Sequence, residues 1–349
     1  MQTILFTDTV CPQPYDSNDL RTKALGGSQA TLIRIAESLA TLSARTHRVF
    51  VHEHNRQTPS LCDRVLYITS LDDMSAYADP ESVVHQRRLN PEALDRYPNA
   101  RHFLWLHDLA HDLMIKDTGH FVRYFNLNGR RITIICVSKW HKKYMQDHFE
   151  CDAVKYKTIY NPVMPIWYDL GRKITNYSKT TLCFTSSPHK GLDVTIQLLD
   201  MICKNTGIDF ELLVANPNYI ELNGINHKRV KFLGALPHEK LLPAISHSMA
   251  HLFIQGSWQE TFGLVYPEAN VLGIPSITLN IGAASETSQG VLLDPPTSLT
   301  LPHLQSLADR ISPVLKAWHD SGRPKVHANI KFRLDHVLMG WMKSLRLKL

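Results

Sequence analysis

Apolar positions along this chain follow two alternating rhythms. Short unbroken runs such as Ile4-Leu5-Phe6, Leu182-Cys183-Phe184 and Leu252-Phe253-Ile254 read as strands buried on both faces of a parallel sheet. Similar runs predict strands at Arg48–Val51, Val65–Ile68, Val83–His85, Phe103–Leu106, Ile132–Val137, Leu212–Ala215, Val230–Gly234, Ser276–Leu279 and Val291–Leu293. Between them the spacing becomes helical. Leu32, Ile35, Ala36 and Leu39 share one face over Gln29–Ser43, and Leu192, Ile196, Leu199 and Ile202 share another. Further helices are predicted at Lys139–Phe149, Glu239–Ser246 and about Pro302–Trp318. Strand and helix in alternation predict an α/β protein with parallel sheets covered on both faces. Both rhythms lapse between Pro162 and Lys179, where Pro165, Gly171, Arg172, Lys173 and Asn176 read as loop, so a domain boundary is placed there. No sequence repeat links the two halves.

Composition narrows the class. With 349 residues the chain can bury two cores, and 44% hydrophobic with 20% charged residues is the balance of a soluble globular protein. The net charge of +6 suits an anionic small molecule or an acidic membrane surface, and is too dispersed to predict nucleic acid as a partner. Cys11, Cys62, Cys136, Cys151, Cys183 and Cys203 form no C-x-x-C pair, which predicts reduced core thiols and a cytoplasmic setting. Met1-Gln2-Thr3 leads into a strand without a basic region, so no signal peptide is expected, and no apolar run has the length of a membrane span.

The chemistry concentrates between Ala250 and Gly273. After the strand and the break at Gly256-Ser257, a helix is predicted from Thr261 or Phe262 to Leu272, capped by Thr261 and ended by Gly273 and Pro275. Glu260 and Glu268 flank its first half. Were all eight steps helical, they would stand roughly 12 Å apart along the axis. That exceeds the roughly 5–9.5 Å of a glycoside hydrolase pair and fits two grips on one extended ligand. The N–H groups of Phe262, Gly263 and Leu264 would lie at the helix N-terminus, where an anion is favoured. Near the chain start, Gly26-Gly27-Ser28 opens a helix after a strand and a long polar loop, giving close backbone approach to a ligand. It is not the G-x-G-x-x-G fingerprint, and a plain two-glycine turn is the alternative. His107-Asp108 ends a strand, and with His111-Asp112 it offers a metal reading in which both histidines share one helix face. No third ligand cluster accompanies it.

Glu260-Thr-Phe-Gly through Pro267-Glu268-Ala269 closely resembles the Glu-x7-Glu motif of retaining GT-B glycosyltransferases of family 4, the glycosyl transferases group 1. The resemblance extends over almost the whole chain and is strongest from Val230 to Glu286. It implies two Rossmann-like domains facing each other across a cleft: an acceptor-side domain at 1–165, a nucleotide-sugar donor domain at 166–325, and a 326–349 helix packing back on the first. Leu334, Val337, Leu338, Trp341, Met342 and Leu345 form that helix's apolar stripe, with Lys331, Arg333, Lys343, Arg346 and Lys348 around it. Rest on an anionic membrane is the alternative use of such a helix.

By the same resemblance, Glu268 holds the ribose and Glu260 the sugar. Lys190, in the family's Lys-Gly step, pairs with the diphosphate beside the loops at Gly26-Gly27 and Phe262-Gly263-Leu264, and His107 lies near donor sugar and acceptor. Cys136-Val137-Ser138-Lys139-Trp140 and Ile159-Tyr160-Asn161-Pro162 match the family's last strand ends in the first domain. Gly282-Ala283-Ala284-Ser285-Glu286 stands where the family has a glycine-rich loop. One departure stands out: the family's Gly-Arg about five residues before the lysine is Phe184-Thr185 here, leaving Ser186 or Ser187 as substitute donors or as simple turn residues. The implied activity is metal-independent hexosyl transfer from a nucleotide-diphosphate sugar to a sugar, lipid-linked or protein acceptor, with no cofactor. An epimerase or hydrolase of the same fold, and a non-catalytic sugar-nucleotide-binding protein, are the alternatives.

Overall fold

The computed structural model describes residues 1–110, 132–149, 154–216, 226–256, 258–327 and 329–347. They divide into two compact units. The first comprises Met1–Leu20, Gly27–Pro162 and Leu334–Leu349; the second comprises Arg21–Gly26 and Val163–Arg333.

The first unit is built on β1 (Gln2–Asp8), β2 (His47–Glu53), β3 (Ser60–Cys62), β4 (Val65–Ile68), β5 (Ser82–Gln86), β6 (Arg101–Leu106), β7 (Thr133–Cys136) and β8 (Lys155–Thr158). Their order is β3-β4-β2-β1-β5-β6-β7-β8, parallel throughout except for the antiparallel β3–β4 pair. β3 carries no predicted strand: its one leucine, Leu61, is 68% exposed, and the two-residue turn to β4 uses Asp63 and Arg64, both at positive φ, instead of the usual glycine or asparagine. The Leu334–Leu345 helix belongs to this unit. Its Trp341 is fully buried, edge-on to Trp105 at 4.7 Å and to Phe6 at 6.2 Å, while Arg101 donates to the Leu345 carbonyl at 2.7 Å. The apolar stripe of this helix is therefore spent inside the protein rather than on a surface.

In the second unit, β9 (Thr181–Phe184), β10 (Glu211–Ala215), β11 (Val230–Gly234), β12 (Ala250–Phe253), β13 (Ser276–Leu279) and β14 (Gly290–Leu293) form an all-parallel sheet in the order β11-β10-β9-β12-β13-β14. Central strand β12 is buried throughout and β9 from Leu182 to Phe184, and the Leu192–Thr206 and Leu301–Ser321 helices supply Leu198, Leu199, Ile202, Leu304, Ile311 and Leu315 to the same core. Residues 329–333 stay with this unit: Val163 N–H donates to the Phe332 carbonyl at 2.6 Å, and Phe332 packs edge-on to Phe262 at 5.2 Å. Among the described residues, no helix is long and apolar enough to cross a membrane.

Candidate active site

In an open parallel sheet, ligands gather at the carboxyl ends of the strands where the strand order reverses. In the second unit that point lies between β9 and β12, because β10 and β11 lie to one side of β9, and β13 and β14 lie to the other side of β12. The loops leaving these two strands bring Lys190 and Glu260 together. Lys190 Nζ donates to Glu260 Oε1 at 2.6 Å, with side chains 20% and 13% exposed, and lies 5.1 Å from the centroid of the Trp258 ring.

Local backbone geometry explains the precision of this pair. Lys190 ends a short Pro188–Lys190 turn rather than opening a helix. Gly191 follows at φ +94°, and the long helix begins at Leu192. A side chain at Gly191 would run into the Ile254 carbonyl at the end of β12, so only glycine lets the two loops approach this closely. Glu260 is held from behind: Ala283 N–H donates to its carbonyl at 2.8 Å, and Gly282, at φ +59°, leaves no room for a Cβ, which would sit 2.6 Å from that oxygen.

The helix carrying Glu268 is shorter than its sequence predicts. It spans Val265–Val271, with Leu264 at its N-cap position and no side-chain cap. Gly263 takes φ +70°, a left-handed conformation that a right-handed helix cannot pass through, and the Tyr266 ring lies 2.6 Å from where a Cβ would stand. Thr261 is thus no cap, Phe262, Gly263 and Leu264 precede the helix, and Glu260 sits on a loop. The straight helical span between the two glutamates does not apply. Glu268 itself is 5% exposed, with His238 Nε2 3.3 Å from its Oε1. Ser186 and Ser187 are buried, and Ser187 Oγ lies 2.9 Å from His189 Nδ1.

In the first unit the strand order reverses between β1 and β5. Gly27 opens the Gly27–Leu42 helix beside this point, where Gln86 at the end of β5 donates to the Ser28 carbonyl at 2.9 Å; Gly26, just before it, is buried. His107 follows β6 with its ring 4.8 Å from that of Trp105, and burial pushes its pKa down to about 3, so its imidazole is neutral. Asp108 forms a two-pronged ion pair with Arg87, Nε to Oδ2 at 2.5 Å and Nη2 to Oδ1 at 3.1 Å. The Asp108 carbonyl lies 3.0 Å from Nε2 of His141, which burial lowers to about 4. His111 and Asp112, the other half of the metal reading, lie outside the described residues.

The profile of the family described as glycosyl transferases group 1 matches residues 184–315, which include Lys190, Glu260 and Glu268. The whole chain superposes on solved GT-B glycosyltransferases. Sucrose-phosphate synthase from Thermosynechococcus elongatus aligns with a TM-score of 0.69 and 15% identity over 99% of this chain and 98% of that one. Anabaena Alr3699/HepE in complex with UDP-glucose aligns with a TM-score of 0.64 and 17% identity over 99% of this chain and 100% of that one. Residues 184–315 thus resemble the group 1 glycosyltransferases, in a chain with the GT-B fold. Among curated relatives, the phosphatidylinositol N-acetylglucosaminyltransferase gpi3 subunit of Schizosaccharomyces pombe (strain 972 / ATCC 24843) is 28% identical over 138 residues, 38% of this chain. The match spans only 29% of that subunit's length.

Within residues 184–315, sequence reasoning did not single out His238 or Trp258. Neither falls on an apolar rhythm. His238 could have been found from its place: it follows Pro237 at the start of the His238–Ile245 helix, just past the carboxyl end of β11.

Proposed function

We propose that this protein is a retaining, metal-independent hexosyltransferase that moves a sugar from a nucleotide-diphosphate sugar to an acceptor hydroxyl. The observation that carries the reading is the Lys190–Glu260 pair at the reversal of strand order, inside the segment that matches the family. In this reading the donor diphosphate takes Lys190, and Glu260 is freed to face the sugar. As the bond from sugar C1 to the phosphate oxygen breaks, its electron pair stays on the diphosphate. Lys190 stabilises that growing charge, and preorganised donors of this kind are the main electrostatic lever on the rate. The ring gains positive charge, which the Glu260 carboxylate stabilises. The acceptor oxygen attacks C1 from the same face and passes its proton to the departing phosphate, so no enzymic nucleophile is required. Glu268 holds the ribose, and in the first unit neutral His107 is a hydrogen-bonding group for the acceptor. No resident cofactor enters the scheme, and the chain has no Asp-x-Asp metal motif.

A nucleotide sugar as donor is supported by the HepE complex with UDP-glucose, and glycolipid assembly by the name of the fission-yeast relative. A lipid-linked acceptor is proposed by analogy with the substrate in that relative's name, with the cytoplasmic setting and peripheral membrane contact carried over as expectations from the sequence. The test is a thermal-shift panel of nucleotide sugars followed by turnover with the stabilising donor in chelator, since a ligand bound to the folded state raises the midpoint. Donor-dependent stabilisation and transfer that survives chelation are expected. Complete loss of turnover, restored by manganese or magnesium, would overturn metal independence. Tight donor binding without transfer to any acceptor would favour the non-catalytic alternative.

A further inference from the structure

His238 and Glu268 come from different loops of the same sheet edge. The His238–Ile245 helix follows β11, and the Val265–Val271 helix follows β12; in the sheet, β10 and β9 lie between those two strands. Their meeting at 3.3 Å, with side chains 13% and 6% exposed, therefore reaches across three strand positions along the edge where α/β sheets take ligands. Each partner is firmly based. Lys240 and Leu241 N–H groups both donate to the Pro237 carbonyl at 2.9 Å, Leu242 and Ile245 anchor the first helix in the core, and Tyr266, Ala269 and Asn270 anchor the second.

His238 Nε2 stands 3.3 Å from Glu268 Oε1, a close polar contact rather than a formed hydrogen bond, and a carboxylate's two oxygens accept several donors at once. An imidazole on Oε1 and the adjacent hydroxyls of a ribose can share one carboxylate. The imidazole also fixes the direction in which that carboxylate points, which a glutamate with three rotatable bonds does not do by itself.

We propose that His238 is a positioning residue for the nucleotide: it orients Glu268 so that the carboxylate grips both ribose hydroxyls, and it thereby sets the discrimination between ribo- and 2′-deoxyribonucleotide donors. The inference rests on the reading of Glu268 as the ribose group. It places the specificity for the sugar of the nucleotide partly on the loop after β11, outside the Glu-x7-Glu segment.

The experiment is a double-mutant cycle on the full chain with the stabilising nucleotide-sugar donor and its 2′-deoxy analogue. His238→Ala should raise donor KM about 10-fold with kcat within about 2-fold, the pattern of a contact equal in ground and transition states. His238→Gln, which keeps a donor, should restore most of that loss. The preference for ribose over 2′-deoxyribose should shrink toward unity in His238→Ala and stay near wild type in His238→Gln. In a Glu268→Ala background, His238→Ala should cost nothing further, because two residues acting through one contact are not additive. Equal KM penalties in both backgrounds, or an unchanged ribose preference in His238→Ala, would overturn the proposal. A Glu268→Ala variant with wild-type KM would remove the ribose reading itself and this inference with it. A large Glu268→Ala effect beside a silent His238→Ala would remove this inference alone.

Discussion

Replacing Glu260 with glutamine should tighten the binding of a bare nucleoside diphosphate while slowing transfer. In the free protein the Lys190 ammonium is already engaged by Glu260 at 2.6 Å, in a setting where neither side chain is more than 20% exposed. A diphosphate must displace that carboxylate before it can use the lysine. Hydrogen bonds to charged groups contribute about 1.5–3 kcal/mol, and charge assistance roughly doubles the neutral bond. The amide of Glu260→Gln therefore holds Lys190 by about half as much, which releases about 0.7–1.5 kcal/mol to the incoming diphosphate, or roughly 3- to 12-fold in Kd. The diphosphate lacks the sugar that Glu260 is proposed to face, so nothing on the ligand opposes the gain. Transfer should fall by about 10²-fold, near 2.7 kcal/mol, because the carboxylate that stabilises the ring charge is lost. Titration calorimetry with the nucleoside diphosphate of the stabilising donor, at one ionic strength, measures the first effect; initial rates at saturating donor measure the second. In a Lys190→Ala background the gain in affinity should vanish. Unchanged or weaker diphosphate binding in Glu260→Gln would refute the displacement argument, and wild-type rates as well would remove the basis of the proposed site.

Glu268→Ala should raise donor KM more than it lowers kcat, since the ribose does not react; steady-state kinetics would show the reverse ratio if Glu268 faced the sugar. Gly191→Ala forces a Cβ toward the Ile254 carbonyl at φ +94°, and should cost at least about 1–2 kcal/mol in denaturant unfolding and weaken diphosphate binding by moving Lys190. Trp341→Ala empties a fully buried site against Trp105 and Phe6 and should cost about 3–5 kcal/mol in denaturant unfolding of the first unit; a small change would contradict the described packing of the final helix. Acid should destabilise the fold in a histidine-dependent way. Burial holds His141 near 4, His251 near 3 and His85 well below its ordinary value, so all stay neutral when folded. Above pH about 6.5 both states are neutral and these groups contribute no slope; as pH falls below it, only the unfolded chain takes the protons, and stability is lost by roughly 1.4 kcal/mol per pH unit for each group. Unfolding free energy measured from pH 7 to 5 should decline less steeply in His141→Gln or His251→Gln than in the parent.

The apolar runs marked twelve of the fourteen described strands, including Leu182–Phe184 and Ser276–Leu279, to within two residues at either end, because burial on both faces leaves a mark in every residue of a central parallel strand; β8, an edge strand reading Lys-Tyr-Lys-Thr with one buried residue, carries no such run. β3 left none, being an edge strand with an exposed leucine and an Asp-Arg turn. Glu260, Glu268 and Lys190 were legible as a motif, since residue type and spacing survive in one dimension. Other properties belong to no local stretch. The helix stopped short of Glu260 because Gly263 turned left-handed under the Tyr266 ring, a choice made by packing and open to any glycine. Lys190 met Glu260 across 70 residues only because β9 lies beside β12 while the chain between them makes β10 and β11 on the other side. His238 reached Glu268, and Trp341 reached Trp105, through strand order and helix return in the same way. Periodicity records which face of an element is buried; which face it is buried against is decided only when the elements assemble, and the site is made of those meetings.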